Sequence, residues 1–207
     1  MFSLTEDLEQ TANIDGKEYD VDLSFNTVID FYALLEDEDL ESYEKVALAF
    51  ELFLPQLDSS EFTMAQQQET VNGIVDYIQE APYGNADDGI EEQETSQKPK
   101  KNFSYSQDAG AIYSSFMQDY GIDLLKEKGQ MHYLTFKALL DGLSDKTYFQ
   151  RIVGLREESL AGKQDEALNK LVEAQNYFAL EENRTEEHLS DQMGDMFSML
   201  KAQAENE

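Results

Sequence analysis

The side chains able to do acid–base or metal chemistry are unevenly stocked: 44 aspartates and glutamates stand beside 15 lysines and arginines, two histidines and no cysteine. His132 and His188 lie in separate segments, and without thiols they supply no zinc cluster of the usual ligand spacing. His132 falls four residues before Phe136 on a helical pattern, so it reads as a buried, hydrogen-bonded ring. Serines abound, yet none sits in a Gly-x-Ser-x-Gly elbow, and no glycine-rich loop leads into a helix as a phosphate cradle requires. Carboxylates are so numerous that pairs at hydrolase spacing arise by chance. Asp20-Val21-Asp22 and Asp87-Asp88-Gly89 look like calcium loops but lack the glycine and the terminal glutamate at EF-hand offsets. Lys98, Lys100 and Lys101, beside Phe103 and Tyr105, form a basic cluster that reads as neutralising the acidic run at 91–94 rather than binding phosphate. No catalytic residue, cofactor or metal site is expected, and the chain is not expected to be an enzyme.

A formal net charge of −29 opposes direct binding to nucleic acid or an anionic membrane, because both would be repelled. It leaves basic partners, or solubility alone. It also opposes compaction and self-association, which suits a protein that stays dissolved while exposing a sticky surface. The lack of cysteine excludes disulfides and agrees with a reducing cytoplasm. The opening MFSLTEDLEQ has no basic leader and no long apolar run. The most apolar stretch, VALAFELFLP, contains Glu51 and ends at Pro55, far short of a membrane span. A soluble, cytoplasmic protein that binds neither nucleic acid nor membrane is expected.

The elements that would position any site are mostly helical. TANI and EYDVDLS flank Asp15-Gly16-Lys17, where Asp-Gly supplies the positive φ of a tight hairpin turn. From Ser24 or Asn26, the spacing Phe25, Val28, Ile29, Tyr32, Leu35 marks a first helix. Ser42 is expected to cap a second, with Tyr43, Val46, Ala47, Phe50, Phe53 and Leu54 on one face and Pro55 as its stop. A third opens with a capping box of Thr63 and Gln66 and carries Val71, Ile74, Val75 and Ile78. Residues 82–102 are a linker by composition, charged and glycine- and proline-bearing with little to bury.

Beyond the linker, Ala109, Ile112, Tyr113, Phe116, Met117 and Tyr120 follow helical spacing, and Gly121 stands where a left-handed C-terminal cap is wanted. A helix over 130–141 turns Phe136, Leu139, Leu140 and Leu143 inward and ends near Gly142. Ser144 is expected to cap the next, with Asp145 favouring its dipole and Tyr148, Phe149, Ile152 and Val153 buried. A longer helix starts near Gln164 with Leu168, Leu171, Val172 and Phe178. The expected fold is therefore mostly α: helical bundles with a short N-terminal β-hairpin and only minor strand content. The expected domains are a hairpin plus three-helix module at 1–81, the linker at 82–102, a second helical module at 103–180, and an acidic amphipathic helix or tail at 181–207.

In that tail, Met193, Met196, Phe197 and Leu200 form an apolar stripe on an acidic background. Methionine packs adaptably, so this stripe is a candidate partner-binding face, either in a partner's groove or against a partner's helix. Folding back on the second bundle is the plainer alternative.

At Tyr120-Gly121-Ile122-Asp123-Leu124, at Phe136-Lys137-Ala138-Leu139-Leu140-Asp141-Gly142-Leu143 and from Ile152 to Arg156, the chain resembles a bacteriophage family known as "gp fifteen". The resemblance reaches from the hairpin to about Lys163 and implies kinship with the tail assembly chaperones of long-tailed phages. It implies a non-virion protein of the infected cell's cytoplasm, absent from the mature particle, that coats the tape measure protein and helps recruit the major tail protein. It leaves self-association open and brings no cofactor. Chaperones of this class occur in short and long forms made by ribosomal slippage, and KPKK at 98–101 lies where such a junction would be sensible. The matching residues Tyr120, Gly121, Asp123, Phe136, Leu139, Gly142, Leu143 and Arg156 read as structural, Arg156 as the partner of some acid. The rival readings are an acidic decoy for a host nucleic-acid-binding protein and a minor structural component of the tail.

Overall fold

The computed structural model describes residues 4–79 and 102–181. The hairpin forms as its turn demands. Strands β1 (Thr11–Ile14) and β2 (Lys17–Asp20) pair antiparallel, with Ile14 opposite Lys17. Asp15 and Gly16 take φ values of 52° and 81° between them, the paired left-handed conformations of a two-residue turn. Seven α-helices follow among the described residues: α1 (Phe25–Glu36), α2 (Ser42–Phe53), α3 (Met64–Gln79), α4 (Ala109–Tyr120), α5 (Tyr133–Asp141), α6 (Tyr148–Glu157) and α7 (Asp165–Phe178). The mostly helical reading with a minor hairpin holds.

The helices fall into two compact units, and neither is contiguous. Of the described residues, 4–79 and 122–142 make the first, while 102–121 and 143–181 make the second. Helix α5, expected in the second module, therefore belongs to the first. Its reason is aromatic and backbone bonding. Phe136 stacks on Phe25 with ring centroids 4.9 Å apart. Tyr133 N–H donates to Leu23 C=O at 2.8 Å, and Phe25 N–H to Met131 C=O at 2.9 Å. The rest of this core comes from α1, α2, α3 and the turn that precedes α3, with Phe31 packed on Phe53 and Phe50 on Phe62. Phe31, Phe50 and Phe53 are almost wholly buried.

In the second unit, α6 packs on both α4 and α7. Ser115 is fully buried; its Oγ donates to Ala111 C=O at 2.6 Å and accepts the Phe149 N–H at 3.0 Å. A single hydroxyl thus satisfies one of the first-turn N–H groups of α6 that would otherwise lack a partner.

Several local expectations change. In α1 the buried stripe runs through Phe25, Thr27, Val28 and Phe31, and Leu35 is exposed. Thr27 can be buried because its hydroxyl donates to Asp22 Oδ2 at 2.9 Å and meets Ser24 Oγ at 3.0 Å. Helix α2 is capped by a reciprocal box of Glu41 and Glu44, not by Ser42, since Ser42 already lies inside the first turn. Helix α6 starts after Thr147, whose Oγ1 accepts the Gln150 N–H and donates to Ser144 C=O; Ser144 only begins the turn before it. Helix α5 starts after His132, which caps it instead of lying within it. Tyr43, Met117 and Tyr148 stay largely exposed. The Thr63–Gln66 box is present as expected.

Candidate functional site

The hairpin's register decides which of its edges can bond. Across a two-residue turn the hydrogen-bonded pairs are Ile14 with Lys17 and Ala12 with Tyr19, and Val21 N–H extends the series to Gln10 C=O at 2.7 Å. Thr11 and Asn13 alternate with these, so their N–H and C=O groups point away from β2. Among the described residues no hydrogen bond reaches those backbone groups. The outer edge of β2 is treated otherwise. Asp20 C=O there accepts from Gln56 Nε2 at 2.5 Å, and Asp22 N–H donates to Phe53 C=O at 2.8 Å. The chain leaving α2 covers β2, while β1 is left open.

Beside β1 runs a trough of about 590 Å³ with α3 as its far wall. The wall is built from Gln66, Glu69, Thr70, Gly73, Ile74 and Tyr77, which share one helical stripe by their spacing of three and four. Ile14, Val21 and Leu23 supply apolar lining from the hairpin side. The trough is pinned at both ends. Gln66 Nε2 donates to the Asp15 carboxylate at the turn, and Tyr77 Oη accepts the Glu9 N–H at 3.1 Å at the strand's start. Between the pins, six residues of extended chain span about 20 Å and eleven residues of helix about 16 Å. That length matches about five residues of an extended peptide.

Glu9, Asp15 and Glu69 line the trough, and no lysine, arginine or histidine does. Gly73 sits in the interior of α3, where glycine weakens a helix by about 1 kcal/mol relative to alanine. A Cβ added there would meet nothing within 4 Å, so packing within the chain does not require this glycine.

His132 anchors the strand's start. Its Nδ1 accepts the Leu134 N–H at 3.1 Å, which leaves the proton on Nε2, and Nε2 reaches Glu9 C=O at 3.2 Å. The ring also meets Tyr77 edge-on at 6.1 Å. Burial pushes its pKa below the ordinary 6.5, and the Glu9 carbonyl only partly offsets this. The expected buried, hydrogen-bonded histidine is thus present, on the same two residues that close one end of the trough.

The residues singled out from sequence lie elsewhere. Gly121 adopts φ 68° and caps α4. Tyr120, the last residue of that helix, packs on Phe116, and burial with Asp119 nearby raises its pKa. Asp123 caps a turn, with Oδ1 accepting the Leu125 N–H and Oδ2 3.1 Å from Lys126 Nζ. Phe136 is buried against Phe25, Leu139 is half-buried on α5, Gly142 ends α5 and Leu143 enters the second core. Arg156 finds its acid in Asp108: two bonds of 2.7 and 2.8 Å join them. Arg156 further donates to Asn102 C=O at 2.9 Å and Phe178 C=O at 2.7 Å. Asn102, assigned above to the linker, is thus held in the second unit. None of these residues lines the trough.

Met193, Met196, Phe197 and Leu200 lie outside the described residues, as do the other tail residues from 182, His188, residues 82–101 and Asp87-Asp88-Gly89. Among the described residues, no group of three or more His, Cys, Asp or Glu is placed to hold a metal. No helix among them is long and apolar enough to cross a membrane.

The trough leaves no apolar stripe in the sequence, because its α3 wall is mostly polar. The signals were a mid-helix glycine and the nearly unstriped Gln66, Glu69, Thr70, Gly73 series, both legible but without an obvious target.

A family described as Bacteriophage Gp15 protein matches the chain over residues 4–180. No curated protein and no solved structure matches it.

Proposed function

Because the chain belongs to this bacteriophage protein family, we propose that it is a tail assembly chaperone, acting by binding polypeptide and not by catalysis. It holds the tape measure protein in soluble form and helps bring in the major tail protein, in the cytoplasm of the infected host. It is not retained in the finished particle. The observation that carries this reading is the open β1 edge beside an acid-lined trough. An edge strand with outward N–H and C=O groups is a template for another chain. The charge of −29 supports the same reading, since it keeps an assembly with an apolar client dissolved.

Co-expression tests it. The tape measure protein is expected to stay soluble and to copurify with the chaperone, and to precipitate alone. Failure to recover a complex with either the tape measure or the tail-tube protein would reject the assignment. Mass spectrometry of finished particles separates it from a minor tail component, since a chaperone leaves no peptides there.

A further inference from the structure

We propose that the trough between β1 and α3 receives an extended, lysine- or arginine-bearing segment of a second polypeptide, which adds as a third strand to β1. The proposal rests on the polypeptide-binding reading above and names the chemistry of the segment.

Three independent observations converge on it. First, Thr11 and Asn13 offer outward N–H and C=O groups at alternate positions, which is the pattern a backbone needs to pair with, while the other edge of the hairpin is already covered by Gln56 and Phe53. Second, Glu9 and Glu69 line the trough with no ion-pair partner among the described residues. An incoming strand alternates its side chains, so cations at alternate positions can meet these carboxylates while the intervening apolar side chains reach Ile14, Leu23 and Ile74. Third, Gly73 keeps the α3 wall without a side chain where nothing in the fold occupies that space. A glycine at this point of the wall leaves the room that a close-approaching backbone needs.

The probe is a fluorescent peptide of repeating Lys-Val, with a Glu-Val repeat as control, titrated into the full-length protein. The Lys-Val peptide is expected to bind and the Glu-Val peptide not. Gly73→Phe fills the trough from an open position and should weaken binding at least about tenfold, a loss of about 1.4 kcal/mol. Gly73→Ala, which should raise the unfolding midpoint, serves as the control that substitution at this position is tolerated by the fold. Glu69→Lys should weaken binding by a similar factor. At saturating peptide, amide exchange at Thr11 and Asn13 should slow at least about tenfold, as newly paired edge groups do.

Unchanged affinity in a folded Gly73→Phe protein, or unchanged exchange at Thr11 and Asn13, would overturn the proposal. So would binding that appears only after Lys98, Lys100 and Lys101 are changed to serine, since the chain's own basic run would then hold the trough. The two levels separate cleanly. A tape measure complex that survives Gly73→Phe removes the trough but keeps the chaperone, whereas peptide binding without any tape measure complex does the reverse.

Discussion

The Arg156 side chain is 8% exposed and the Asp108 side chain 4%, so the pair has little water to fall back on. Removing one member of such a pair costs about 3–5 kcal/mol, because the other is left buried and uncompensated. Arg156→Ala should therefore lower stability in urea by about that amount. Replacing both at once, Asp108→Leu with Arg156→Met, should recover much of it. A double variant no more stable than Arg156→Ala would show that the bonds to Asn102 and Phe178 matter more than the charge. At His132 the prediction concerns pH. Its folded pKa lies below 6.5, so its contribution is complete above that value. As pH falls past 6.5 the unfolded chain takes up a proton that the folded ring resists, and stability drops until the folded ring itself titrates. Glu9 and Tyr77 face the ring, and no cation among the trough residues does. His132→Asn keeps a capping acceptor but does not titrate. The difference in unfolding midpoint between the two proteins should therefore shrink as pH is lowered, and a constant difference would contradict the assignment.

At the scale of elements, most helices were legible because their apolar residues recur at three and four, and because Asp15-Gly16, Thr63–Gln66 and Gly121 punctuate them with specific turn and cap chemistry. Their exact starts were less so. Glu41 and Thr147 cap α2 and α6 in place of nearby serines, a choice settled by which side chain lands on the N3 amide. The grouping of helices was not legible at all. Phe136 has the spacing of a core residue, but nothing in that spacing says that its partner is Phe25, more than a hundred residues earlier. For the same reason the trough was invisible: it exists only where β1 and α3 are pinned by Asp15–Gln66 and Glu9–Tyr77. A fragment covering 1–81 should consequently fold poorly by itself. Circular dichroism should show it gaining helix when a peptide of residues 122–142 is added in trans. A fragment with full helical signal alone would mean that α5 is dispensable to the first unit.

At the scale of the whole molecule, self-repulsion is the dominant field. With 44 acids against 15 bases, added salt should screen that repulsion within a Debye length of about 8–10 Å near physiological strength. The unfolding midpoint should rise by several degrees between low and moderate sodium chloride. A flat or falling midpoint would show that specific ion pairs outweigh the net charge. The interleaving of the two units has its own consequence for how the protein comes to exist. The ribosome delivers α5 only after α4 has emerged, so the first unit waits for its closing helix while one of the second unit's three described helices is already in the open. A product terminated near Lys101 would be released with Phe25 uncovered by Phe136, and would have to borrow a ring from another chain to finish its core.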